Sequence, residues 1–177
     1  MEHDPVFTLG RNARSEHVLL PREQLEARGF QIFEAGRGGD VTCHGPGQVV
    51  AYPIIDLAPD RKDVHRYVRD LEQVMIQTCA DYGLTARRVP GRSGCWVADE
   101  KIGAIGVRIA RWVTSHGLAF NVDVDLAPFE LIVPCGIAEH GVTSLCRLLG
   151  RPVPLADVAD RIATHFAEVF ARVVVRG

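Results

Sequence analysis

The sequence predicts a mixed α/β (α+β) protein in which a largely antiparallel sheet packs against helices. Three stretches carry that expectation. Over residues 63–82 apolar side chains recur at helical spacing, with Val64, Tyr67, Val68, Leu71, Val74, Met75, Thr78 and Tyr82 on one face and Gly83 as the stop. Over residues 84–124 the texture changes to short β-like segments, 95–98, 101–109 and 113–122, which turns at Asp99-Glu100 and Arg111-Trp112 fold into a meander. Over residues 155–173 a second helical stripe returns, formed by Val158, Ile162, Phe166, Val169, Phe170 and Val173. Asp157 and Asp160 near its start and Arg172 near its end suit the helix dipole.

The remaining elements are shorter. Residues 5–9 read as a strand ending at Gly10, and 11–20 as a loop. Residues 21–28 read as a two-turn helix opened by Pro21 and closed by Gly29. Residues 30–33 form a second strand leading into a glycine-rich loop. Residues 48–57 are strand-like, and Pro53 marks an edge position or a bulge. Thr143-Ser144 opens a short helix through Leu149. No repeat, linker or low-complexity tract interrupts the chain, so residues 1–177 are expected to form a single domain.

Composition narrows the function classes. Hydrophobic residues make up 47% and charged residues 24%, enough for a sizeable core in a soluble protein. A formal net charge of -2 gives no reason to expect nucleic-acid or membrane binding. No apolar run reaches the ~20 residues of a membrane helix, and the N-terminus lacks signal-peptide character, so a cytoplasmic location is expected. The five cysteines, Cys43, Cys79, Cys95, Cys135 and Cys146, form no C-x-x-C pair, and there is no H-x-x-x-H. No structural zinc site and no metal are expected.

Four of the twelve residues from Arg37 to Gln48 are glycine. Such a loop is too poor in side-chain bulk to hold a core, and reads as the wall of a binding site with amide groups, Arg37 and His44 facing a ligand. Gly103, Gly106 and Gly117 in the meander read as thinning the sheet beside that loop. Charge usage is lopsided: eighteen arginines against two lysines, Lys62 and Lys101. Lysine can lose its proton at accessible pH where arginine cannot. Lys62 fits a solvated first turn, whereas Lys101 leads an apolar run. Cys135 lies between Pro134 and Gly136. A nearby ammonium favours a thiolate, and an amine can then accept a proton, so a Cys135–Lys101 dyad would suit acyl transfer through a thioester.

The motifs Arg37-Gly38-Gly39-Asp40-Val41-Thr42-Cys43-His44-Gly45-Pro46-Gly47-Gln48, Lys101-Ile102-Gly103-Ala104-Ile105-Gly106, His116-Gly117-Leu118-Ala119-Phe120-Asn121, Pro134-Cys135-Gly136-Ile137 and Gly141-Val142-Thr143-Ser144-Leu145 occur in that order. Together they resemble the octanoyltransferases, the lipoyl/octanoyl transferase or lipoate-protein ligase B family, over nearly the whole chain. The resemblance implies the fold of the biotin-protein and lipoate-protein ligase catalytic domains. It implies a cofactor-free transfer of octanoyl from octanoyl-acyl-carrier protein to a lysine of a lipoyl domain, in 2-oxoacid dehydrogenase E2 subunits and glycine cleavage H protein. By motif, Cys135 matches the acyl-thioester nucleophile and Lys101 the lysine that lowers its pKa. Substrate-lining positions are Arg37, Gly38, Gly39, Asp40, Val41, Thr42, Cys43 and His44, then Ala104, Ile105 and Gly106, then Gly117, Leu118 and Ala119. An ATP-dependent lipoate or biotin ligase and a non-catalytic acyl-binding module are the alternatives.

Two departures carry expectations. Cys43 stands where the family more often has an aromatic residue, which would reshape the acyl pocket and place a second, oxidisable thiol near the site. The chain begins almost at Glu2-His3-Asp4-Pro5-Val6-Phe7-Thr8-Leu9-Gly10-Arg11, where the family has an earlier strand and helix. Either the start codon is misassigned, the chain is truncated, or the domain manages with an uncovered edge, and an exposed apolar edge predicts lower stability or self-association. Arg87, Arg88, Arg92, Arg108 and Arg111 are candidates for a surface that steers acidic protein partners.

Overall fold

The computed structural model describes residues 1–133 and 141–175. Two sheets form its frame. The smaller has the order β2-β1-β3, from β1 (Val6–Leu9), β2 (Gln31–Glu34) and β3 (Val41–His44). The larger has the order β4-β8-β7-β6-β5, from β4 (Gln48–Ala51), β5 (Ala86–Val89), β6 (Arg92–Val97), β7 (Glu100–Ala110) and β8 (Val113–Asn121). All pairings in the larger sheet are antiparallel, and β1 with β2 is the parallel pair of the smaller. The parallel pair needs a crossover, which α1 (Arg22–Ala27) supplies.

One face of the larger sheet carries α2 (Val64–Asp81) and α4 (Leu155–Phe170). The amphipathic stripes explain why. Tyr67, Leu71, Val74 and Met75 of α2, with Val158, Ile162 and Phe170 of α4, join Val49, Leu118, Phe120 and Ile102 in one core. Asp63 caps α2 by accepting the Arg66 amide at 3.0 Å, and Gly83 ends it at φ +74°. Ser144 caps the short α3 (Leu145–Leu149), and Gly150 closes it in the left-handed region. A second core, of Phe7, Leu25, Ile32, Val41, Cys43 and Ile132, lies under the smaller sheet. Among the described residues no helix is long and apolar enough to cross a membrane.

Several boundaries differ from expectation. Residues 41–44 of the glycine loop form β3, and Val41 and Cys43 are buried in the second core. The loop therefore does hold a core together, because Val-Thr-Cys-His alternates with the period of a strand. Strand 48–57 stops at Ala51, two residues before Pro53. The last helix ends at Phe170, with Ala171 left-handed at φ 51°, so Val173 is exposed rather than packed. Val64, placed on the buried face of α2 by spacing, is exposed in its first turn. The meander gains β5 and β4 at its two edges. The β4 edge is met at Val50 by Met1, whose amino group donates to the Val50 carbonyl at 3.0 Å and whose carbonyl accepts the Val50 amide at 2.9 Å.

Candidate active site

The face of the larger sheet turned away from the helices confronts the smaller sheet and the glycine loop, and a cavity of about 150 Å³ lies between them. Register fixes its floor. Ala104 pairs with Ala119 and Ala119 with Val50, which makes a row of small side chains across β7, β8 and β4. Gly106 pairs with Gly117 in the next row on the same face, with Tyr52 beyond the end of β4. Ser93 on β6 completes one side. The opposite wall is Thr8 of β1, Ala35, Arg37, Gly39 and Asp40 of the loop, and Val41, Thr42 and His44 of β3.

The glycines serve packing more than they free ligand space. A Cβ at Gly106 would lie 2.6 Å from Arg37 Cδ, and one at Gly117 would lie 2.2 Å from the Ala51 carbonyl oxygen. At Gly103 the missing side chain makes room for Met75 of α2, on the helix face and away from the cavity. The expected thinning of the sheet is thus filled by the protein's own groups at these three positions.

Arg37 is buried, and its guanidinium is spent on the fold. It donates to the Thr8 carbonyl at 2.7 Å and hydroxyl at 2.8 Å, to the Asp40 carbonyl at 2.8 Å, and to the Gly38 carbonyl at 3.1 Å. It fastens the loop to β1, while the Gly38 amide fastens it to β7 by donating to the Val107 carbonyl at 2.8 Å. The Asp40 carboxylate takes the Val41 amide at 2.7 Å and pairs with His17 Nδ1 at 2.5 Å.

His44 is held by the Gln48 side chain, with Nδ1 and Oε1 2.7 Å apart. Gln48 in turn donates to Asn121 Oδ1 at 2.8 Å, and Asn121 donates to the Thr143 carbonyl at 3.0 Å. Burial pushes the imidazole down to about 4, with the charges of Arg37 and His3 adding to it against the Gln48 bond. His116, also on the cavity, has its pKa lowered by burial and then by Arg37 and Arg108. It sits at φ 57° inside β8, a strained backbone of the kind found at functional sites. Two neutral histidines and a guanidinium committed to carbonyls leave a cavity suited to an uncharged, apolar guest.

Lys101 is buried at the start of β7. Its ammonium lies over the Trp96 ring, 4.9 Å from the centroid. A side chain at Gly94 would touch Lys101 Cε, and Gly94 adjoins cavity-lining Ser93. The Lys101 backbone donates to the Gly141 carbonyl and accepts from the Thr143 amide, both at 3.0 Å. Cys135, with Pro134, Gly136 and Ile137, lies outside the described residues. On the preceding side, the Val133 amide donates to the His17 carbonyl at 2.8 Å.

Of the sequence-predicted lining, Arg37, Gly39, Asp40, Val41, Thr42, His44, Ala104, Ile105, Gly106, Gly117, Leu118 and Ala119 all border this one cavity. Ile105 and Leu118 border it with their backbone, since their side chains belong to the helix-side core. Gly38 and Cys43 do not join the lining. Strand alternation turns Cys43 into the second core, where burial, then Asp125, pushes its thiol up to about 12. It neither reshapes the cavity nor offers a reactive thiol there. Sequence reasoning missed Thr8, Val50, Tyr52, Ser93 and His116 as lining and His17 as the partner of Asp40. Period-two alternation from β1 and β4 points to Thr8, Val50 and Tyr52, but only once the facing sheet is known.

The fold is the one shared by the lipoate-protein and biotin-protein ligase catalytic domains. The chain resembles lipoate-protein ligase A solved with ATP (TM-score 0.78, 17% identity, 99% of this chain and 73% of that one). It also resembles the biotin protein ligase of Aquifex aeolicus (TM-score 0.64, 12% identity, 94% and 70%). The sequence profile of the lipoyl protein ligase A/B catalytic domain matches residues 1–167. An octanoyltransferase of Geobacter metallireducens is 51% identical over 166 residues, covering 94% of this chain and 75% of its own. One of Myxococcus xanthus is 51% identical over 176 residues, and this chain spans 49% of its length. The chain belongs to the lipoyl protein ligase A/B catalytic-domain family, in its octanoyltransferase branch.

Proposed function

We propose that residues 1–177 act as one catalytic domain that moves an octanoyl group from octanoyl-acyl-carrier protein to a lysine of a lipoyl domain in the cytoplasm. The 51% identity to octanoyltransferases supports the acyl group. The carrying observation is the convergence of the three predicted segments on one cavity free of ionised histidine, with Lys101 beside its Ser93 side. Acceptors on this reading are the lipoyl domains of 2-oxoacid dehydrogenase E2 subunits and glycine cleavage H protein.

The chemistry runs in two balanced steps. Cys135 as thiolate attacks the carrier thioester; a new C–S bond forms, the old one breaks, and the carrier thiolate leaves and takes its proton from the Lys101 ammonium, which becomes the free amine. The acceptor amine then attacks the enzyme thioester; the C–N bond forms, Cys135 leaves as thiolate, and Lys101 accepts the proton lost by the amine. The Lys101 ammonium favours the thiolate in the resting enzyme. Support for Cys135 comes from the other thiols. Cys43, Cys95 and Cys146 all have raised pKa values, and Cys79 is fully buried 4.0 Å from Cys95.

Incubation with octanoyl-acyl-carrier protein and a lipoyl domain, without ATP, is expected to give octanoylated acceptor. Product only from free octanoate with ATP would instead assign a ligase.

A further inference from the structure

We propose that Tyr52 is the chain-length stop of the acyl cavity, and that a second hollow behind it receives the tail when the stop is removed. This rests on the acyl-transfer reading for which end of the cavity holds the thioester. The cavity runs across β6, β7, β8 and β4, about 14 Å at the usual ~4.8 Å strand spacing. Lys101 lies by Gly94 and Ser93 at the β6 end, so an acyl chain anchored there points toward Tyr52 at the β4 end.

Beyond Tyr52 lies a hollow of about 300 Å³ in which Val6 and Phe33 are the apolar lining and His3, Asp4 and Gln31 the polar rim. The two spaces share three lining residues, Thr8, His44 and Tyr52. Thr8 is tied down by Arg37 and His44 by Gln48. Tyr52 is the most exposed of the three. It is 38% exposed, its hydroxyl bonds the half-buried His3 Nε2 at 2.7 Å, and its ring meets the His3 ring at 5.9 Å and His116 edge-on at 6.1 Å. Pro53 holds the backbone of Tyr52 extended, so the ring can be removed without redirecting the chain. The inner cavity is smaller than the ~300–1,000 Å³ of ordinary ligand pockets, and the outer hollow brings the joined space into that range. Phe33, 55% exposed, is the apolar surface a longer tail would cover.

The test is calorimetric binding of free fatty acids from hexanoate to dodecanoate, run beside transfer assays with the matching acyl-carrier donors. Tyr52→Ala is expected to raise the dodecanoate-to-octanoate affinity ratio about tenfold, as four extra methylenes partly withdrawn from water would do. Tyr52→Leu, a milder truncation, should move the ratio the same way by a smaller factor and carries the test if the alanine variant does not fold. Adding Phe33→Asp to Tyr52→Leu should cancel the gain. Ratios within twofold of wild type in the truncated variants, or a gain that survives Phe33→Asp, would overturn the stop. Shifted binding without transfer from any donor would uphold the stop and refute the transferase reading.

Discussion

At the scale of single residues, the site is built by groups that are neutral or already occupied. His44 shows what this costs. Its folded pKa of about 4 lies below the ordinary 6.5, so between those values the unfolded chain binds a proton that the folded chain refuses. Stability is therefore complete above about 6.5 and declines as the pH falls toward 4, by on the order of 3 kcal/mol from this group. Urea titrations at pH 7 and pH 4.5 should show that His44→Gln loses less stability than wild type over that interval; equal losses would contradict the buried neutral imidazole. Gly106 makes a different point. A methyl there runs into Arg37, so Gly106→Ala is expected to cost about 1–3 kcal/mol and to lower octanoyl transfer through the displaced loop. Unchanged melting and unchanged rate would show that Arg37 yields freely.

At the scale of elements, two joints set the geometry. Glu72 of α2 is buried, accepts from Arg88 Nε at 3.0 Å and from the Gly94 amide at 3.1 Å, and so ties the helix to the β5–β6 hairpin that borders Lys101. Arg88 is thereby committed to the fold rather than to a docking surface. Glu72→Ala should cost about 2–3 kcal/mol, as expected for charge-assisted bonds lost in a buried setting, read as a lower denaturant midpoint. The β7–β8 turn places Arg111 at φ 50° and Trp112 at φ 65°, both left-handed. Asparagine enters that region more readily than arginine, so Arg111→Asn is expected to raise stability by about 0.5–1 kcal/mol; a fall would mean that the Arg111 side chain does more than turn. The elements most legible in the sequence were those with a strong period: α2, β7, β8 and α4. Residues 41–44 read as loop because four flanking glycines masked a short alternation, and only β1 across from them makes that alternation a strand. The end of α4 was overrun because Val173 fits the stripe, while the left-handed Ala171 that breaks it has no sequence signal.

At the scale of the whole molecule, two sheets meet across one cavity, and motifs far apart in the chain become its opposing walls. That convergence was legible from the resemblance in motif order. The committed state of Arg37 and the retreat of Cys43 were not, since both depend on which face of a strand meets which core. The exposed Arg108, near the end of β7, and Arg111, in the turn to β8, place positive charge along one edge of the molecular surface. If that edge steers encounter, kcat/KM for the carrier-protein donor should fall several-fold between low and physiological salt, and a flat salt profile would argue against steering. The central claim is that one sulfur carries the acyl group between two proteins. It is tested most directly by intact-mass spectrometry of the enzyme mixed with octanoyl-acyl-carrier protein and no acceptor. One added octanoyl group, mapped to Cys135 and absent from Cys135→Ser, is the predicted result; full transfer by Cys135→Ser, with no adduct on the wild-type enzyme, would contradict it.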